Sequence, residues 1–181
     1  MHNEITNEQL CDTENKINEY EKRVHEMMEK AFWDLMRDEL NQTPPESKRI
    51  TPILEEIKEK LKLIIPNNES LKTKIDEIID IPHIQLMYRE GVMNFNAIVD
   101  LTTKIALFLK LISAPAMDNE IDTFAGCISP KFIACSDFVE FFQWYLPLLH
   151  LYIDSIEQAT QAIKIQNITD NFSRSRDSNT L

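Results

Sequence analysis

Gly91 and Gly126 are the only glycines in a chain of 181 residues, and that scarcity limits the available folds more than any other feature. Glycine reaches positive φ without strain, and parallel α/β folds, phosphate loops and tight β-turns draw on it repeatedly. A chain that uses so little of it favours helices joined by Pro, Asn and Ser linkers. Apolar residues at 43% and charged residues at 27% give a globular balance, and the length suits one domain with its own core.

Hydrophobic spacing supplies the helices. Over residues 15–40, Ile17, Tyr20, Val24, Met27, Ala31 and Leu35 recur every three or four positions, one face of a long amphipathic helix. Thr43-Pro44-Pro45 ends it, because proline cannot continue a helix. Thr51 reads as an N-cap with Pro52 at the first helical position, and Ile53, Leu54, Ile57, Leu61, Ile64 and Ile65 as the stripe that follows. A third helix is expected over 69–80, and Pro82 opens a fourth that stops at Gly91. Asn94 caps a run over 95–112 that is apolar nearly all round, which places it in the middle of a bundle. Residues 118–135 read as one short helix and a loop through Ser129-Pro130. A last helical region begins near Ser136-Asp137, passes a kink or break at Pro147 and fades after Ile165.

The expected fold is all-α, an irregular bundle of about six to seven helices with a long amphipathic first helix. Residues 1–14 read as a flexible N-terminus, 15–165 as the helical domain and 166–181 as a disordered polar tail.

A formal net charge of −11, with basic residues scattered among acids, argues against a nucleic-acid or anionic-lipid surface. Cys11, Cys127 and Cys135 form no C-x-x-C, which fits a reducing compartment. The first residues lack a secretory signal pattern, and the apolar stretch 138–153 is too short and interrupted to span a bilayer, so the expected location is cytoplasmic. His2, His25, His83 and His150 never fall three to five residues apart, so helical metal spacing is missing. No nucleophile elbow, Walker loop or dinucleotide fingerprint occurs, and Glu55-Glu56 and Asp76-Glu77 read as solvated helix faces. No catalytic, cofactor or metal residue is assigned, and no cofactor is expected. A small hydrolase using Cys127 or Cys135 is the one enzymatic rival.

Two features remain. Lys48-Arg49 upstream of Thr51 suits a basophilic kinase, whose phosphate would sit at a helix start; the competing reading is a plain N-cap. The aromatic residues Phe138, Phe141, Phe142, Trp144, Tyr145 and Tyr152 favour core packing, the alternative being a partner groove. On that alternative Phe142, Trp144 and Tyr145, together with Trp33, are the candidate partner contacts.

Ala31-Phe32-Trp33-Asp34, then Leu40 and Thr43-Pro44-Pro45, resembles the opening of the T-complex protein 11 domain. Ile53-Leu54-Glu55-Glu56-Ile57-Lys58-Glu59, Ile75-Asp76-Glu77-Ile78-Ile79-Asp80, Gly91 and the apolar helix ending Ser113-Ala114-Pro115 continue the likeness in order and spacing. It is close from Glu26 to Ile112 and looser to Ile165, and reads as the N-terminal part of a longer family domain. The resemblance implies a non-enzymatic adaptor or regulator of the cyclic-AMP/protein kinase A pathway, linked to spermatogenesis and sperm motility. It implies protein partners, in the cytoplasm or the sperm flagellum. The second reading is a scaffold within a cytoskeletal or flagellar assembly, its first helix packed against a partner helix.

Overall fold

Asparagine and aspartate caps set most of the helix starts in the computed structural model, which describes the backbone of residues 7–177 and the side chains of residues 15–168. Among the described residues seven helices result: α1 (Asn7–Leu40), α2 (Ile50–Ile64), α3 (Glu69–Ile78), α4 (Ile81–Arg89), α5 (Phe95–Lys110), α6 (Asp118–Ala134) and α7 (Phe138–Asp177), with a 3-10 turn at Pro115–Met117. No strand occurs among the described residues. The all-α bundle is therefore as expected.

Each cap satisfies an amide that the helix itself cannot pair. Asn68 Oδ1 accepts from the Leu71 N–H at 3.0 Å, Asp80 Oδ1 from His83 at 3.1 Å and Asn94 Oδ1 from Ala97 at 3.1 Å. Asp137 Oδ1 accepts from Glu140 N–H at 2.8 Å, while the Glu140 carboxylate reaches back past the cap to accept from Ser136 N–H at 2.7 Å, and the two bonds together start α7. Gly91, at φ +66°, terminates α4 as the sequence predicts.

Several boundaries differ from the sequence reading. Thr51 lies inside α2, not at its cap: the Arg49 N–H is taken by the Glu39 carboxylate, and Thr51 N–H already donates to Ser47 O at 3.0 Å. α6 runs unbroken through Pro130, where a loop was expected. Proline removes one helical hydrogen bond and crowds the carbonyl four residues back, which here belongs to Gly126, the most permissive residue for that carbonyl to tilt. α7 likewise continues through Pro147. α1 begins at Asn7, inside the segment 1–14, and α7 continues to Asp177, inside the segment 166–181. After Pro147 no proline or glycine interrupts the chain, so helix propagation meets no breaker. Residues 1–6 and 178–181 lie outside the described residues.

α2 packs on α3, α4 and α7, and α5 packs on α3, α6 and α7. The core is built from Ile57 and Leu61 of α2, Ile75 of α3, Ile98, Ile105, Phe108 and Leu109 of α5, and Phe141, Tyr145, Leu149 and Ile153 of α7. α5 buries Ile98, Thr102, Ile105, Ala106, Phe108 and Leu109 but leaves one face exposed along Asn96, Asp100, Lys104 and Leu107, so it is not covered all round. Within the core the Tyr145 hydroxyl donates to Thr102 O at 2.8 Å, tying α7 to α5.

Outside the core, charge pairs hold the edges. Glu39, almost fully buried, pairs with the Arg49 guanidinium and accepts its backbone N–H, fastening the end of α1 to the start of α2. Glu39→Ala is expected to lower stability by about 2 kcal/mol, because the partly buried Arg49 charge loses its counter-ion. Urea denaturation measures this, and a change under about 0.5 kcal/mol would contradict it.

Lys58 and Lys62 each approach Asp76 at 2.7 Å and hold its carboxyl below the ordinary range. At Asp137, burial pushes the carboxyl up, but the Glu140 N–H and the Arg37 guanidinium outweigh it and the net shift is downward. A folded-state pKa below the unfolded one gives stability that is complete above the unfolded value and is lost as pH falls through the folded one. The denaturation midpoint should therefore hold from pH 7 to about 5 and fall below about pH 4. Asp76→Asn and Asp137→Asn should shrink that fall.

Candidate interaction surface

α1 carries two apolar faces with different fates. At 100° per residue, Phe32, Trp33, Met36, Glu39 and Leu40 share one side, and this side docks on the body, with Met36 at 0% exposure. Arg37 Nε donates to Asp137 Oδ2 at 2.7 Å beside it. Ile17, Tyr20, Val24, Met27, Ala31 and Leu35 form the other stripe, centred about 140° away around the helix. Every residue from 15 to 31 is exposed, Met27 at 72%. The stripe faces away from the body on which α1 docks.

Such an arrangement is costly for the chain alone. Covering a Val, Ile or Met side chain is worth about 1.5–3 kcal/mol, and a solvated helix of this length is marginal on propensity. The pairs Arg23–Glu19 at 2.6 Å, Lys30–Asp34 at 2.9 Å and Lys22–Glu26 at 3.9 Å add only tenths of a kcal/mol each. The chemistry the stripe offers is apolar helix-to-helix packing with charged flanks.

The four residues named from sequence as partner contacts separate. Tyr145 (0% exposed) and Phe142 (3%) are core, not surface. The reason is spacing: 138, 141, 142, 145 and 149 share the face of α7 that covers α5 and α6. Phe124 of α6 lies 5.6 Å from Tyr145 and 5.2 Å from Tyr152, and Phe132 lies 4.8 Å from Phe141, so the aromatic cluster seals α6 to α7. Trp144 is half-buried with the Lys131 ammonium 5.9 Å from its ring, and Trp33 is half-buried, edge-on to Phe32 at 5.1 Å. These two keep some accessible surface, and Trp33 lies on the docked side of α1, away from the stripe.

A family model described as T-complex protein 11 matches residues 1–151. The chain belongs to the T-complex protein 11 family. Within that family the human T-complex protein 11 homolog is 24% identical over 147 residues, covering 81% of this chain and 29% of the relative. The rat homolog is 26% identical over 147 residues, covering 81% and 25%. Human T-complex protein 11-like X-linked protein 1 is 29% identical over 105 residues, covering 58% and 20%. The chain thus spans less than a third of the length of these relatives. No solved structure matches. The T-complex protein 11 match takes in all of α1, exposed stripe included, and stops at Leu151 within α7.

The remaining candidates lie elsewhere on this family member. Thr51 is 5% exposed, and its Oγ1 is buried without a hydrogen-bond partner. A kinase would need the first turn of α2 to open before reaching it. Beside Thr51 a cleft of about 480 Å³ is lined by Pro44, Lys48, Glu55 and Arg89, and a second of about 450 Å³ by Glu77, Asp80, His83 and Lys104. Both have mixed charge. Cys127 is exposed, and Cys135 is half-buried; burial first, then the Glu140 carboxylate, pushes the Cys135 thiol up, away from the thiolate a nucleophile needs. Among the described residues no group of three or more His, Cys, Asp or Glu is placed to hold a metal ion, and no helix is long and apolar enough to cross a membrane. Cys11 and His2 lie outside the described side chains.

Sequence spacing found the α1 stripe but not its orientation. The available signal was a second apolar register on the same helix, Phe32, Met36 and Leu40, offset from the first. Two apolar registers at opposite sides of one helix cannot both face one small body.

Proposed function

We propose that this T-complex protein 11 family member is a non-enzymatic helical adaptor that works by offering the α1 stripe to a partner helix. One observation carries the reading: an apolar face over 17–35, on a helix whose opposite side is already docked. An anchored body with an outward apolar helix is the geometry of helix-to-helix recognition. We further propose that the adaptor serves cyclic-AMP/protein kinase A signalling during spermatogenesis or in sperm motility, in the cytoplasm or flagellum; the family resemblance supports this part. The absence of an activated nucleophile–base pair in the motifs of the sequence supports the non-enzymatic reading.

The test is direct binding of the purified chain to kinase A catalytic and regulatory subunits, with and without cyclic AMP. Binding at micromolar concentration that is lost on deleting residues 15–29 supports the proposal, and no binding to any subunit defeats the signalling part. A structural scaffold is the second reading, favoured by the lengths of α1 and α7, 34 and 40 residues, whose outer ends extend beyond the core. Binding to cytoskeletal or flagellar proteins, with none to the kinase, would select it.

A further inference from the structure

We infer that the partner helix on the α1 stripe is α1 of a second copy of this chain, paired in a parallel two-stranded coiled coil. The inference rests on the reading of α1 as a docking helix and names its occupant.

The spacing of the exposed residues is heptad spacing. Ile17, Val24 and Ala31 fall seven apart, and Tyr20 and Met27 fall three residues after the first two of them. Taking Ile17 as position a makes Tyr20 position d, and the pattern a, d, a, d, a holds through Ala31. β-Branched residues at a, here Ile17 and Val24, are those that two-stranded parallel pairs favour, with Tyr20 and Met27 standing at d where leucine is usual. The exposed arm therefore carries a seam, not merely an apolar face.

The two flanks of that seam are self-complementary in one orientation alone. Lys16, Arg23 and Lys30 line the g flank, and Glu21, Met28 and Leu35 the e flank. In a parallel pair each g residue meets the e residue five positions later on the other chain. Lys16 then faces Glu21, and Arg23 lays its aliphatic stem along Met28, with both contacts made twice by symmetry. In an antiparallel pair g meets g and e meets e, which sets lysine and arginine against lysine and arginine and leaves Glu21 against Glu21. Lys16 and Glu21 are in no ion pair among the described residues, whereas their neighbours Glu19–Arg23 and Lys22–Glu26 are paired along the helix. A foreign helix would need its own matching flanks; this chain already carries both halves.

Geometry permits the pairing. Because the docked face of α1 is about 140° from the seam, the two bodies lie on outer sides of the pair and do not collide. The seam is short, about two heptads from Ile17 to Ala31, so the dimer is expected to be weak, with a dissociation constant on the order of 100 μM.

Sedimentation equilibrium of the full chain from about 5 to 300 μM tests this. The wild type should pass from monomer to dimer, and Val24→Glu should remain monomeric with an unchanged thermal melt. Lys16→Glu should weaken the dimer several-fold at low salt, and adding Glu21→Lys should restore it. Under mild oxidation Ile17→Cys should link to its own copy, since only a parallel pair places position a opposite itself. A wild type that stays monomeric at the highest concentration overturns the inference. So does a dimer indifferent to Val24→Glu, a higher oligomer, or an Ile17→Cys dimer in which no disulfide joins the two introduced thiols. If the wild type stays monomeric while deletion of 15–29 still abolishes binding to another protein, self-pairing fails and the docking role stands; if neither is seen, both fail.

Discussion

Phe141→Ala should lower the free energy of unfolding by about 3–5 kcal/mol. Phe141 is fully buried, and its ring lies 4.8 Å from Phe132, 5.6 Å from Phe142 and Tyr145, and 5.9 Å from Trp144. Truncation removes the burial of the ring and leaves a hole that its neighbours cannot all close, because Tyr145 is tethered to Thr102 O. Set against a typical stability of about 5–15 kcal/mol, the loss is a large share and should depress the melting temperature by roughly 6–20 °C. Chemical denaturation reads it directly. A loss below about 1 kcal/mol would mean that α6 and α7 are not sealed by this cluster.

The second large effect is on binding and leaves folding alone. Ile17→Glu combined with Val24→Glu puts two charges into the α1 stripe, one at its N-terminal end and one a heptad further in. Both side chains are exposed, so the unfolding midpoint should move by no more than about 0.5 kcal/mol. Partner binding should fall at least about tenfold, since a bound helix would have to desolvate two unpaired carboxylates. The same pair of substitutions on a core-facing stripe would instead destabilise the monomer by several kcal/mol. Parallel measurement of denaturation and binding separates the two cases. A destabilised protein would show that the stripe is covered within the chain.

Much of this fold was legible in the sequence, because local chemistry decided it. Asn94, Pro82 and Gly91 each act where the sequence places them, as cap, opener and stop. Thr51-Pro52 misled because a tertiary contact prevailed: the Glu39 carboxylate took the Arg49 amide and moved the helix start upstream. Pro130 misled because the proline rule concerns a carbonyl four residues back, and that carbonyl belongs to Gly126. The aromatic residues of α7 were legible as a cluster, and their spacing favoured the core; which of them keep accessible surface depends on where α6 lies. For α1, periodicity revealed the stripe, but only the docking of Met36 and Leu40 on the other side shows that it points outward.

Hydrogen exchange across α1 tests the central claim most directly, namely that the face over 17–35 is left open for another helix. In dilute solution the amides of 15–31 should exchange fast, because a solvated helix opens readily, while those of α2, α5 and the buried part of α7 stay protected. Raising the protein concentration, or adding a binding partner, should slow exchange across 15–31 and little else. Strong protection of 15–31 that is present at high dilution and unchanged by concentration or partner would contradict the account, since the stripe would then be covered within its own chain.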